Sequence, residues 1–561
     1  MLPWRVQLQR TLEAFREDPG FRNRLLAFAL VLAVLIGSFA SGISINIEIG
    51  RDSADQLATD SGLNTSGAGT VAGSSGAETA LPGSEDGGSV SVGGATAAAG
   101  ANRAGPAGAS AAPAQPSTAG KSYDQLLREQ LAAFTSAWNC DGAKLTATDR
   151  GITDKEIKLG WLIPNLNELR AAGFEVGLAG DWDRIITAWV NELNRLRMGC
   201  RKITFVKEVF DVLSVDDMLA KCRAMVNDHK VFAVFTPGGY DSVAQLCIAK
   251  DGKTPFINPE PEPEGWYEQA APYLWNMLMS KDRMHRNHIR WLVESNTLKK
   301  SHTIGVVYHD IPNVGPSVRN GMLTELKKHG FTPKRIATLS SDTEQAVAQI
   351  NQVVVQFQQD GIDFVFMPMN LIFKSQFMQQ AEKQAYFPEY TDSDHYFGCF
   401  DFVTTTYAAQ SWDRTKCVSA VDVAGMREKD ALELAKNHPY AKYADQVYLR
   451  TYKDNYDRNG EASEDQTNTQ RALFIGTGEQ VLLFKQAADR VGVDLTRPKW
   501  GASMGQTGSY CTVVRFNCLT FGPRKWDAPN HINVVQWHAE ASDGYEERRY
   551  RQIVKPFPAY Y

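Results

Sequence analysis

The chain has 561 residues, more than one ordinary hydrophobic core supports, so two or more domains are expected. Its formal net charge of −5 argues against a nucleic-acid footprint. Eight cysteines, none in a C-x-x-C pair, argue against a zinc site.

The first element in chain order is LLAFALVLAVLIGSFASGI, Leu25 to Ile43, nineteen residues without a charge. At 1.5 Å per residue it reaches across a hydrocarbon core of about 30 Å. Arg5, Arg10, Arg16, Arg22 and Arg24 precede it, which leaves the N-terminus cytoplasmic and the rest outside. Two readings stand: an uncleaved anchor, with residues 25–45 as the transmembrane segment, or a signal peptide cut near Ser38-Phe39-Ala40. Residues 51–121 follow, rich in Ala, Gly, Ser and Thr and free of aromatics. Such a tract buries too little apolar surface to offset chain entropy, so a disordered spacer is expected.

The cysteines agree with an oxidising, extracytoplasmic location. Their order suggests that neighbours pair, giving Cys140–Cys200, Cys222–Cys247, Cys399–Cys417 and Cys511–Cys518.

From Ile157 the pattern alternates. IKLGWLIP, KITFVKEVF, VFAVF and TPFIN read as buried strands separated by amphipathic helices, and a second series restarts after Pro272 with HTIGVVYH and IDFVFMPM. Helices are expected over about 283–295 and after the capping sequence Ser341-Asp342-Thr343-Glu344. Continuous apolar strands alternating with helices mean parallel sheets covered on both faces. The fold class is therefore α/β: two doubly wound, Rossmann-like lobes with a hinge and an interlobe cleft, preceded by one N-terminal transmembrane helix and a disordered linker.

Ligands of open parallel sheets bind beyond the carboxyl ends of the strands. The segments to watch are Asn165-Leu166-Asn167, Thr236 to Ser242, Asn258 to Glu264, His309 to Asn313, and Met369-Asn370. The acidic run Pro259 to Glu264 is either a solvated turn or part of the mouth of the cleft. Trp161, Tyr240, Trp266 and Tyr267 are either an aromatic wall or ordinary packing. His285 and His288 lie in a basic helix with Lys281, Arg283, Arg286 and Arg290, which reads as a solvated face rather than a metal site. Asp392-Ser393-Asp394 starts like a calcium loop but lacks the later glycine and glutamate. Gly501-Ala502-Ser503-Met504-Gly505 matches the nucleophile-elbow spacing, but Gln506-Thr507-Gly508 is a poor start for the helix an elbow needs.

Four stretches together resemble the type I periplasmic binding proteins of the branched-chain amino-acid transport group. They are IKLGWLIPNLNELRAAG, KVFAVFTPGGYDSVAQLCIAKDGKTPFIN, SHTIGVVYHDIPNVGPSVRNGMLTELKKHGF and CLTFGPRKWDAPNHINVVQWHAE. The resemblance implies lobe 1 at 147–278 and 405–500, and lobe 2 at 279–404 and 501–561. It implies a solute-binding protein of an ABC-type transporter that closes by a hinge on a small polar solute, an amino acid, amide or amine. No enzyme activity, cofactor or metal is expected, and the partners are a permease and, through the N-terminal helix, the membrane. It implies that Gly238, Gly239, Tyr240, Asp241 and Ser242 hold a ligand carboxylate and that Asp394 reaches its ammonium. Asn165, Asn167, Asn258, Asp310 and Asn370 complete the expected contacts. Tyr240 and Asp241 depart from the small residues usual in the family. Together with the acidic loop they favour a neutral or cationic ligand over simple leucine-type recognition. An exported hydrolase or a cell-surface interaction protein on the same scaffold is the alternative.

Overall fold

In the computed structural model, the described residues are 121–559, apart from 168–180, 213, 341–342, 396–397, 405–406, 455, 457–463, 514–517, 543 and 546. The expected transmembrane segment, the spacer up to residue 120 and the capping residues Ser341 and Asp342 lie outside them. Among the described residues, no helix is long and apolar enough to cross a membrane.

Among the described residues the first helix is α1 (Tyr123–Thr135), capped by the Ser122 hydroxyl, which accepts the Gln125 N–H at 3.2 Å. Strands β1 (Glu156–Asn165), β2 (Lys202–Asp211), β3 (Ala233–Phe235), β4 (Phe256–Asn258) and β5 (Leu274–Asn276) form a parallel sheet in the order β2-β1-β3-β4-β5. Helices α2 (Trp182–Arg195) and α3 (Val215–Arg223) are two of its crossovers. A second, seven-stranded sheet runs β14-β13-β10-β9-β8-β6-β7. Its strands are β6 (Ile304–His309), β7 (Arg335–Leu339), β8 (Phe364–Phe366), β9 (Glu389–Ser393), β10 (Lys416–Ser419), β13 (His531–His538) and β14 (Arg549–Pro558). Strands β11 (Gly508–Tyr510) and β12 (Leu519–Phe521) pair antiparallel with each other in a separate two-stranded sheet. All its pairings are parallel except β10 with β13 and β13 with β14. Helices α4 (Lys281–Glu294), α5 (Thr343–Gln359) and α6 (Leu371–Lys383) belong to this lobe.

Strand parity builds the core. Successive residues of a strand point to opposite faces. On β1, Leu159, Trp161 and Ile163 enter one apolar cluster while Leu162 enters another. On β6, Val307 faces one cluster and Ile304, Val306 and Tyr308 the other. Both sheets are thus buried on both faces, which is why their strands carry continuous apolar runs.

Two lobe boundaries differ from the sequence expectation. Lys416–Ser419 pairs with β9 and β13, so the chain stays in the second lobe through 419 rather than leaving at 405. The stretch just after 500 also stays with the first lobe, as far as Phe521, before β13 and β14 join the second sheet: α9 (Arg497–Met504), preceded by α7 (Pro439–Thr451) and α8 (Glu464–Val491), packs in the first lobe. Met504, Tyr510, Leu519 and Phe521 share a cluster with Trp161 and Trp189. A four-residue strand is too short to read from periodicity, and its neighbours decide its sheet. The expected pairing of neighbouring cysteines is the one seen: 140–200, 222–247, 399–417 and 511–518, with no free cysteine among the described residues.

Candidate functional site

Parallel strands end at one edge, so the loops after β3, β4, β6 and β9 cluster at the carboxyl edges of the two sheets. The edges meet at Asp241 of the first lobe. Its Oδ1 accepts Asn313 Nδ2 at 2.8 Å and Lys281 Nζ at 2.9 Å. Asn313 follows β6, and Lys281 opens α4, so both donors come from the second lobe.

Beside this contact the Gly238–Gly239 turn follows β3. Both residues have positive φ, 142° and 77°, a conformation glycine adopts at no steric cost. The turn does present an N–H, but it is taken: Gly239 N–H donates to Glu260 Oε1 at 2.6 Å. Glu260 is held from behind. Its N–H donates to Asn258 Oδ1 at 3.1 Å, and its carbonyl accepts Asn276 Nδ2. Glu262 is fully buried, accepts Lys281 Nζ at 3.3 Å, and also accepts the Gln245 amide. Burial, then the nearby Asp241 carboxylate, pushes Glu260 up to about 7. Burial raises Glu262 well above the carboxylate range against the pull of the Lys281 ammonium. Two carboxyl groups thus bond one ammonium while Glu260 lies buried beside Asp241, a crowding that favours holding a proton there.

The other expected ligand residues are engaged by the protein itself. Tyr240 is buried with its ring edge-on to Phe210, 4.9 Å between centroids, and its hydroxyl donates to the Met218 carbonyl. It is a core residue rather than a wall of the cleft. The Ser242 hydroxyl faces Met218 Sδ at 3.1 Å and accepts the Ala244 N–H at 3.2 Å. Asn165 accepts the Asn167 N–H at 3.2 Å, closing a local turn. Asn370 caps α6 by accepting the Phe373 N–H at 2.9 Å. Asp310 pairs with Arg319 at 2.9 Å. Asp394 accepts the Ser419 hydroxyl at 2.9 Å and the Ala420 N–H, fixing the segment that follows β10. Asn258 is buried, and its Nδ2 has no hydrogen-bond partner among the described residues.

One further expectation is corrected, and others left open are settled. The N-terminal part of α4 is not a solvated face: Lys281, Arg283, His285 and His288 are all buried. His285 stacks edge-on against His395, 4.8 Å between centroids, and His288 Nε2 meets Thr391 Oγ1 at 2.7 Å. The void between them is about 10 Å³, at the lower limit for one water. No group of three or more His, Cys, Asp or Glu among the described residues has the arrangement to hold a metal ion. Ser503 sits inside α9, buried, its hydroxyl donating to the Ala487 carbonyl at 2.8 Å, which is not an exposed nucleophile elbow. Trp161 is core, stacked on Phe235 with centroids 4.9 Å apart. In the acidic run, Glu260 and Glu262 are buried and only Glu264 reaches the surface, paired with Arg286.

The acidic loop and the segment of Asn313 are legible in the sequence, but the grouping of Glu260, Glu262, Lys281 and Asn313 about the turn is not. Lys281 carried no signal, since a lysine opening a basic helix reads as exposed. A roomier cavity, about 590 Å³, lies elsewhere, lined by Tyr123, Leu127, Met426, Asp430, Leu434 and His438 among others. None of its lining residues belongs to the strand-end loops singled out from sequence. Tyr123 OH and His438 Nε2 are 2.6 Å apart at its wall.

No protein-family model and no curated protein matches the chain. Solved structures do. A fatty acid ABC transporter substrate-binding protein from Thermomonospora curvata superposes with a TM-score of 0.50 at 15% identity, covering 75% of this chain and 96% of that one. A periplasmic binding protein type 1 from Bordetella pertussis Tohama I gives a TM-score of 0.50 at 13% identity, covering 71% of this chain and all of that one. The chain has the type I periplasmic binding-protein fold, as its two parallel-sheet lobes and terminal antiparallel hairpin require.

Proposed function

We propose that the protein is an extracytoplasmic solute-binding protein of an ABC-type transporter, taking up a small polar solute by hinge closure and presenting it to a permease. The observation that carries this reading is the meeting of the two carboxyl edges at Asp241, Asn313 and Lys281. A solute lodged between such edges contacts both lobes and favours the closed state by that difference in contacts. No chemistry is assigned to this cleft. The globular part lies outside the membrane, tethered by the N-terminal segment or released from it.

One observation favours a second reading, a cell-surface interaction protein on the same scaffold. Most of the residues expected to hold solute are already engaged by other groups of the protein. Thermal unfolding of the full chain against amino acids, amides, amines, sugars and short peptides decides between them. Ligand at one hundred times its dissociation constant adds about 2.7 kcal/mol. A selective rise in unfolding temperature supports the receptor. No rise across the panel, from a folded and ligand-free sample, moves the assignment to the interaction protein.

A further inference from the structure

We propose that Glu260 is a resident carboxylate filling the anion seat of the Gly238–Gly239 turn, so that the cleft excludes solute carboxylates and takes an amine or amide group. The inference rests on the reading of this cleft as a solute site.

Three observations carry it. The first is geometric. Gly239 N–H is the donor that the turn presents, and Glu260 Oε1 already accepts it at 2.6 Å. A Cβ on Gly238 would stand 3.1 Å from the same oxygen, so the carboxylate is pressed against the turn. Second, Glu260 is built in. Pro259 and Pro261 flank it and fix their own φ. Asn258 and Asn276 hold its backbone from both sides. Third, the Lys281 ammonium is already engaged: Asp241 Oδ1 accepts it at 2.9 Å and Glu262 Oε2 at 3.3 Å. A further carboxylate brought there competes with both for that ammonium and meets the Asp241 side chain.

What the cleft offers instead suits an N–H-bearing group. The Asp241 side chain, 27% exposed, is an acceptor at the junction of the lobes. Asn258 Nδ2, buried and without a hydrogen-bond partner among the described residues, is a donor for a carbonyl oxygen one strand away. An amide uses both, and an amine uses Asp241.

The experiment reads the seat directly, whether or not any solute is transported. The full chain is labelled with ¹⁵N-glycine and the Gly239 amide resonance is followed during titration with acetate. In wild type it stays put. In Glu260→Ala it moves saturably, with acetate bound at least about tenfold more tightly than to wild type, the scale of one charge-assisted hydrogen bond. Movement in wild type equal to that in the variant, or in neither protein, overturns the proposal. Should Glu260→Ala fail to fold, Glu260→Gln serves. The wild-type Gly239 amide shifts as the carboxylate beside it ionises near neutral pH, and Glu260→Gln removes that shift; its persistence refutes the contact. Calorimetry with leucine, leucinamide and isopentylamine then tests selectivity. Wild type binds the amide or the amine at least about tenfold more tightly than the acid, and Glu260→Ala narrows the gap. Tight binding of leucine by wild type is a second refutation. If acetate behaves as expected while no solute binds wild type, the seat stands and the receptor reading fails instead.

Discussion

His285 and His288 show how far burial overrides residue type. Both ride on α4 among basic residues, yet removal from water, aided by the Lys374 ammonium, drives each down from 6.5 to about 3. His395 is lowered in the same way, and Lys374 is itself paired with buried Asp392. The unfolded chain takes up protons near pH 6.5, whereas the folded one does so only near 3. The neutral histidines therefore contribute stability above pH 6.5 that is lost as pH falls toward 3, at a slope of up to about 1.4 kcal/mol per histidine per pH unit. Glu260 acts in the opposite sense between 4.5 and about 7, because its folded form holds the proton longer. The clean comparison is His288→Gln against wild type in urea unfolding at a series of pH values. The variant should lose stability less steeply below pH 6.5; parallel slopes would show that His288 is charged in the fold.

At the scale of elements, the sheets need little beyond parity, while the disulfides add a separate constraint. Cys140–Cys200 ties the segment before β1 to the turn after α2, across 60 residues of sequence. Cys511–Cys518 closes only 7. In the chain-entropy account the larger loop restricts the unfolded state more, about 4 kcal/mol against about 2.4 kcal/mol. Replacing each pair by alanine and measuring unfolding in denaturant should rank 140–200 as the more costly loss. The reverse order would mean that packing around the short loop outweighs chain entropy. α1 belongs to this scale as well. Gln130 exchanges two hydrogen bonds with the backbone of Cys511, 2.7 and 2.8 Å, so a helix far upstream of β1 is docked on the first lobe beside a disulfide.

Across the whole molecule, Asp241 joins the lobes through Asn313 and Lys281. Lys281 is also tied to buried Glu262, so Asn313 is the donor that can be removed without stranding a buried charge. A hydrogen bond to a charged group contributes about 1.5–3 kcal/mol. Asn313→Ala should then shift the ligand-free protein toward an open form, seen as a larger radius of gyration in solution scattering, and recover the compact form with saturating solute. An unchanged radius without ligand would mean that the lobes are held by other contacts.

The amino-acid sequence by itself determined what depends on local pattern. Continuous apolar runs such as Ile157 to Pro164 marked the strands, and the amphipathic stretches between them marked the helices, as Ile185, Ile186, Trp189 and Leu193 bury one face of α2, because apolar surface must be buried wherever the chain places it. The alternation of the two yielded the parallel sheets and the doubly wound lobes, and the order of the cysteines suggested their pairing. The site was legible only as a set of loops. Gly238, Gly239, Asp241 and Glu260 were all named from sequence, but not that Glu260 would seat itself on the Gly239 N–H. Lys281 and Asn313 reach Asp241 across 40 and 72 residues. Which lobe holds β10, whether α4 faces water, and which polar groups are already satisfied depend on partners distant in the chain. Only the tertiary structure decided these, because a hydrogen bond or a buried charge is settled by what lies within about 3 Å in space, not by what is adjacent in sequence.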